Sequence, residues 1–318
     1  MTSRYRDKWI WKSMSPERQA VAKAQEALVA ETSAEIRSSW VESDAGTMIH
    51  TLEAGEGEPL ILLHGSGNSA ADWAPLMRVP FGRRLIAVDR PGFGLSDPVE
   101  YNRDELRVTA VTMVTGLLDA LGVEKADLVG SSGGSVWALW TALDQPHRVR
   151  RLALLGATPL MPGTSAPIPL RLIATPVVGN LLGRLMPAPS PESVTKMMGM
   201  MGEGGTVGRY PELIDVHVAA ESDPIASEAA ERELKALIRG LTGFRSHYVF
   251  TEEELRGIEH PTLLIWGDQD PIGGLDAARR ATDAIPHAEL TVLSTGHAPW
   301  WGEPDRCASL IAEFLEAE

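Results

Sequence analysis

Ser132, Asp270 and His297 stand far apart in a chain of 318 residues, yet each follows a short apolar run and sits among turn-forming neighbours. Serine, acid and histidine in that order can share one chemistry. A serine hydroxyl is a weak nucleophile until an imidazole takes its proton. A carboxylate on the other ring nitrogen then fixes the tautomer and stabilises the imidazolium. Ser132 lies in DLVGSSGGSV, where Gly130, Ser132 and Gly134 form the one fitting frame of G-x-S-x-G. An apolar run at 126–129 precedes it and a helical stretch at 135–144 follows. That context predicts a tight strand-to-helix elbow that lifts the hydroxyl above a sheet. Asp270 ends WGDQD just before Pro271, after the run TLLI, and His297 follows Gly296 after the run ELTVL. Asp268 is a rival acid and reads as a surface turn residue. Taken singly, each of the three is an ordinary turn or cap residue; their occurrence together, in order, carries the reading.

A second glycine loop competes. Gly65-Ser-Gly67-Asn-Ser-Ala70 matches G-x-G-x-x-A after a strand-like run, and Asp89 ends the next run. Those features suit a dinucleotide site. That reading explains residues 60–89 and leaves 132, 270 and 297 unexplained, so the nucleophile reading is preferred.

The elements that must hold these residues are legible as an alternation. Apolar runs at 59–63, 85–88, 126–129, 152–155, 262–265 and 289–293 read as buried parallel strands. Helical stretches such as 104–121 and 135–144 separate them, which predicts an α/β fold with a mostly parallel sheet flanked by helices. Upstream, SSWVES and TMIHTLEAG flank Asp44-Ala-Gly46 as a hairpin. A helix is expected over 14–36, with Ser15 as N-cap and Pro16 at the first position. It is read as packed on the body, with a homodimer contact as the alternative. The alternation breaks over 157–250, a proline-rich helical segment that holds Met197, Met198, Met200 and Met201. The expected organisation is an N-terminal helical extension at 1–37, a core at 38–156 and 251–318, and a helical cap at 157–250 over the strand ends, where ligands bind.

Five segments resemble the α/β-hydrolase superfamily, in its capped branch of esterases, carbon–carbon bond hydrolases, epoxide hydrolases and dehalogenases. They are HGSG at 64–67, DRPGFGLSD at 89–97, VGSSGG at 129–134, WGDQDP at 266–271 and GHAPWWGEP at 296–304. The resemblance runs from about residue 38 to the end, the cap excepted. It implies Ser132 as nucleophile, His297 as base and Asp270 as the acid. It also implies an oxyanion hole of two backbone N–H groups, from Gly133 and from Ser66. Two positions depart from the pattern. Ser131 stands where histidine is frequent and Gly133 where a bulky residue is frequent, which alters the pocket floor. Capped relatives that open epoxides or remove halide use aspartate as nucleophile, so serine argues against both. The expected activity is hydrolysis of a small or medium apolar carboxylic ester or lactone through an acyl-enzyme. Alternatives are a carbon–carbon bond hydrolase, a non-hydrolytic biosynthetic enzyme, or a catalytically silent ligand-binding protein. Met197, Met198 and Trp300 are candidate pocket residues, with core packing as the competing role.

Composition bounds the partners. The formal net charge is -14, from 43 acidic and 29 basic side chains. Such a surface repels phosphate backbones and anionic lipid, so neither nucleic acid nor membrane is expected as a partner. An apolar small molecule is. Cys307 is the single cysteine, so no disulfide forms within the chain. The eight histidines are scattered and form no H-E-x-x-H, so no metal and no cofactor are expected. His64 is read as shaping its loop, and Asp89 as organising the RPGFG loop. The start, MTSRYRDKWIWKSMSPE, lacks the apolar core of a secretory signal, and a cytoplasmic setting is expected.

Overall fold

The computed structural model describes residues 14–32, 35–43, 46–79, 82–185 and 187–317. Residues 1–13 of the expected extension, and Asp44 and Ala45 of the expected hairpin turn, lie outside them.

Among the described residues, eight strands form one sheet: β1 Arg37–Glu42, β2 Met48–Ala54, β3 Pro59–Leu63, β4 Arg84–Val88, β5 Ala126–Ser131, β6 Val149–Leu155, β7 Thr262–Gly267 and β8 Ala288–Leu293. Their spatial order is β1-β2-β4-β3-β5-β6-β7-β8. β1 and β2 are antiparallel to their neighbours, and β4 to β8 run parallel with β3. The reason lies in the runs themselves. Alternate residues of a strand face opposite sides of the sheet, and both sides are covered here. Ile61, Leu63, Leu128, Leu152, Leu154 and Leu264 belong to one core cluster. Leu60, Leu62, Val129, Ala153, Leu155 and Leu263 belong to the other. Each such leucine, fully buried, contributes about 1.5–3 kcal/mol.

Helices supply the covers. α1 is Pro16–Glu31, α2 Ala74–Met77, α3 Leu106–Ala120 and α4 Gly133–Asp144. Between β6 and β7 come α5 Ile168–Ile173, α6 Pro176–Leu185, α7 Pro191–Met200, α8 Pro211–Ser222 and α9 Pro224–Leu237. α10 Glu252–Arg256 precedes β7, and α11 Leu275–Ala284, α12 Pro299–Gly302 and α13 Pro304–Glu316 follow it. The helix expected over 14–36 stops at Glu31, because Thr32 turns extended with φ -78° and ψ 141°. Arg37 already belongs to β1, so the strand begins one residue inside the segment read as the N-terminal extension. Ser15 caps α1 as expected, its hydroxyl accepting from Arg18 N at 3.2 Å.

α1 is held to the body by Arg18. Its guanidinium donates to Leu95 O and Ser96 O at 3.0 and 2.8 Å and pairs with Asp223, between α8 and α9, at 3.3 Å. No helix among the described residues is long and apolar enough to cross a membrane.

Candidate active site

β5 runs directly into α4, and the joint is Ser132. Its φ of 51° and ψ of -119° make it one of two non-glycine residues with positive φ among the described residues. A Cβ on Gly130 would meet Ser135 Cα at 2.5 Å, and one on Gly134 would meet Leu63 O at 2.0 Å. Both positions therefore require glycine, since the strand and helix leave no room for a methyl group. α4 starts at Gly133, two residues earlier than the sequence pattern indicates, so the part-exposed serine stands at its very beginning. The Gly133 N–H, as the first of the helix, has no acceptor within it. The loop after β3 comes alongside: a Cβ on Gly133 would stand 2.7 Å from Ser66 Oγ and 3.4 Å from Ser66 N. The two backbone segments expected to supply oxyanion donors are thus neighbours.

Asp270 lies three residues past β7 and is buried. Its Oδ1 accepts from Ile272 N at 2.9 Å, and its Oδ2 from Ala157 N and from His297 Nδ1, both at 2.7 Å. The acceptor-only carboxylate fixes the ring proton on Nδ1 and leaves Nε2 as the basic nitrogen. Burial pushes the His297 imidazole toward neutrality, but the Asp270 carboxylate outweighs it, so the pKa lies above the ordinary value. Asp268, the rival acid, instead accepts from Ser294 Oγ at 3.2 Å and is exposed.

His297 follows β8, three places from β5 in the sheet, but its loop folds back toward the serine. A Cβ on Gly156 would lie 2.2 Å from His297 O and 3.4 Å from Nδ1, so the histidine rests on the end of β6. β6 neighbours β5, and their last registered pair is Leu155 with Ser131. Gly156 and Ser132 are the next residues beyond that pair, at the ends of adjacent strands. The structure joins Asp270 to His297 by a hydrogen bond; among the described residues it holds none between His297 and the Ser132 hydroxyl.

The competing glycine loop is accounted for differently. Asp89 is fully buried and accepts from His50 Nδ1 at 2.6 Å, Ala70 N at 2.6 Å and Leu95 N at 2.9 Å. It ties β2, the Gly65–Ala70 loop and the RPGFG loop together, leaving no oxygen directed at a ribose. His64 Nε2 accepts from Arg90 N at 3.0 Å, so Nδ1–H donates to Gly65 O at 2.7 Å. Burial, assisted by Arg90, lowers its pKa to about 4 and keeps it neutral. Trp300 is 1% exposed, stacks on Trp73 at 4.6 Å and donates from its indole N–H to Asp72 O at 2.7 Å. Its indole is packed in the core beside Trp73 and Trp301. Met197 and Met198 are half-buried on α7, and Met198 packs against a core cluster.

Sequence reasoning missed the groups that reach this site from the α5–α9 segment. Glu233 of α9 pairs with Arg90 through both oxygens, at 2.6 and 3.1 Å, with both side chains buried. Burial opposes it, but Arg90, with help from the Ser66 side chain, holds the Glu233 carboxyl below its ordinary range. His217 of α8 binds Asp72 at 2.9 Å. Glu203, in the turn after α7, accepts from Ala298 N at 2.7 Å, beside the histidine. Sequence offers a signal for the last alone: a single acid inside the glycine turn GEGG.

A family model described as "Alpha/beta hydrolase family" matches residues 60–310. The chain belongs to the alpha/beta hydrolase family. The expected fold and the hydrolase expectation, at this coarse level, therefore hold. Among relatives, the chain is similar to 2-hydroxy-6-oxononadienedioate/2-hydroxy-6-oxononatrienedioate hydrolase 2 of Pseudomonas putida, 30% identical over 285 residues, 86% of this chain and 94% of that one. It is similar in structure to the 2-hydroxy-6-oxo-6-phenylhexa-2,4-dienoate hydrolase of Rhodococcus sp. strain RHA1, with TM-score 0.73 and 25% identity over 90% of this chain and 100% of that one. A carboxylesterase of Bacillus subtilis aligns with TM-score 0.70 at 22% identity over 95% of this chain and 99% of that one, a likeness of fold.

Proposed function

We propose that this chain hydrolyses the carbon–carbon bond beside the 6-oxo group of a 2-hydroxy-6-oxo-dienoate. This replaces the ester as the leading reading. The observation that carries it is similarity to hydrolases named for that substrate class, over nearly their whole length, in sequence and in structure. The geometry supports a fitting set of roles. Ser132 attacks the ketone carbon directly or through water, and His297 Nε2 takes the proton. Asp270 holds the imidazole. The N–H groups of Ser66 and Gly133 receive the developing oxyanion, each such donor being worth about 2.7–4 kcal/mol in the transition state. Moving the 2-hydroxyl proton onto the carbon beside the ketone first makes that carbon tetrahedral; the pair left by bond breaking then enters the conjugated 2-oxo-enoate, and the imidazolium returns a proton to the resulting dienolate oxygen. Water supplies OH to the acid product and H to the diene product. The α5–α9 segment is the cap in this reading, and Met197 and Met198 are its apolar contributors.

One observation favours ester or lactone hydrolysis as the second reading. A dienoate brings a carboxylate, and the guanidinium beside Gly133, that of Arg90, is already neutralised by Glu233. An uncharged substrate needs no cation there. The two readings separate in one assay, with 2-hydroxy-6-oxo-6-phenylhexa-2,4-dienoate and p-nitrophenyl butyrate offered in ¹⁸O-labelled water. The leading reading expects dienoate cleavage, label in the acid product, and a loss of about a thousandfold or more in Ser132→Ala. Ester turnover without dienoate cleavage selects the second reading. Full dienoate turnover by Ser132→Ala contradicts the proposed roles.

A further inference from the structure

The turn after α7 grips the histidine loop from above. His297 N donates to Met201 O at 2.9 Å, and Ala298 N donates to Glu203 Oε1 at 2.7 Å. The other oxygen, Oε2, accepts from Thr206 Oγ1 at 2.6 Å. Glu203 is 1% exposed. The approach is so close that a Cβ on Gly296 would stand 2.5 Å from Glu203 Oε1 and 2.6 Å from Met201 O. A carboxylate from the inserted helices is thus buried against the backbone of the residue after His297. Buried carboxylates are costly unless hydrogen-bonded, and both oxygens of this one accept from donors. Such a group, far in sequence from 270 and 297, needs a reason to stand there.

We propose that Glu203 is a positioning residue that fixes the His297 loop and adds a second negative charge to the Asp270–His297 pair. The proposal rests on the hydrolase reading for its catalytic consequence, though not for its geometry. It has two parts. Mechanically, Glu203 and Met201 hold the backbone of 297–298, so the imidazole is anchored from the insertion as well as from Asp270. Electrostatically, the charged groups facing His297 are Asp270, from the loop after β7, and Glu203, from the turn after α7; both favour the protonated ring. Those facing Glu203 are His297 and Asp270. Burial pushes the Glu203 carboxyl above its ordinary range, opposed by the bonds from Thr206 and Ala298 and by His297. Movement of the inserted helices would reach the base through this contact.

Glu203→Gln tests the charge alone. The amide oxygen still accepts from Ala298 N, and the amide nitrogen donates to the Thr206 hydroxyl. A ¹⁵N NMR titration of the His297 ring in the full chain, its signal assigned by loss in His297→Gln, reads the result without turnover. The midpoint is expected to fall by about one pH unit in Glu203→Gln. The acid limb of p-nitrophenyl butyrate hydrolysis is expected to move with it. Glu203→Ala removes the acceptor for Ala298 N and is expected to lower kcat by about tenfold or more, with KM nearly unchanged. An unmoved NMR midpoint in Glu203→Gln, or wild-type kcat in Glu203→Ala, overturns the proposal. Wild-type protein inactive on the ester and on the dienoate would instead sink the hydrolase reading and leave the NMR result standing.

Discussion

In the proposed chemistry His297 is the base, and its surroundings set its protonation. Burial alone would keep the ring neutral at lower pH, while Asp270, bonded to Nδ1 at 2.7 Å, raises the pKa above the ordinary value of about 6.5. A base must be unprotonated to accept a proton, so activity is lost as pH falls through that raised value. The kcat/KM profile should therefore show an acid limb whose midpoint lies above about 6.5. Asp270→Asn should move that midpoint down and reduce kcat by about ten-thousandfold, as loss of the orienting acid does in the serine protease triad. An acid limb below 6, or Asp270→Asn within tenfold of wild type, would assign the imidazole another partner. At this scale the sequence was legible where chain order carried information. Ser132, Asp270 and His297 were singled out because each follows an apolar run that becomes a strand, and the structure joins the last two by a hydrogen bond. Glu203 and Glu233 were not, since their contacts depend on the path of helices whose sequence carries no such order. Trp300 lies near His297 in the chain, but its indole is turned into the core against Trp73, which spacing does not reveal.

At the scale of elements, the elbow is a joint that sterics constrain tightly. α4 packs so closely on β3 that a Cβ on Gly134 would meet Leu63 O at 2.0 Å and His64 O at 2.6 Å. The obstacle is backbone on both sides, so no side chain can swing away. Gly134→Ala should cost on the order of 1–3 kcal/mol in urea unfolding, with activity reduced through displacement of Ser132. A variant with wild-type midpoint and rate would mean that strand and helix separate freely. The parallel strands were readable because burial on both faces leaves an uninterrupted apolar run. Their ends were not: β5 runs to Ser131 and α4 opens at Gly133, because the strained serine, not a change in hydrophobicity, marks the boundary. The α1 boundary was missed for a similar reason, since Thr32 leaves the helix without any glycine or proline to announce it.

Across the whole molecule, the inserted helices are fastened to the strand-end loops by buried charged pairs. Arg90–Glu233 holds α9 to the loop after β4, and His217–Asp72 holds α8 to the segment before α2. Burial disfavours the charged His217 ring, but Asp72, aided by Glu221, prevails and raises its pKa. A raised folded-state value makes this stabilisation complete below the unfolded pKa of about 6.5 and lost as pH rises through the folded one. The gap in melting temperature between wild type and His217→Gln should accordingly shrink from pH 6 to pH 9. A gap that widens toward alkaline pH would show that the pair does not hold an imidazolium. The account as a whole rests on Ser132 and His297 acting together, although the sheet places their parent strands three apart. Its most direct test is kcat on the dienoate or ester that the wild type turns over, for Ser132→Ala, His297→Ala and the double variant. Residues that act as one unit lose nearly everything with the first change. The account predicts each single variant slower by about a thousandfold or more, and the double variant no slower than the singles. Penalties that multiply in the double variant, or a single variant near the wild-type rate, would contradict it.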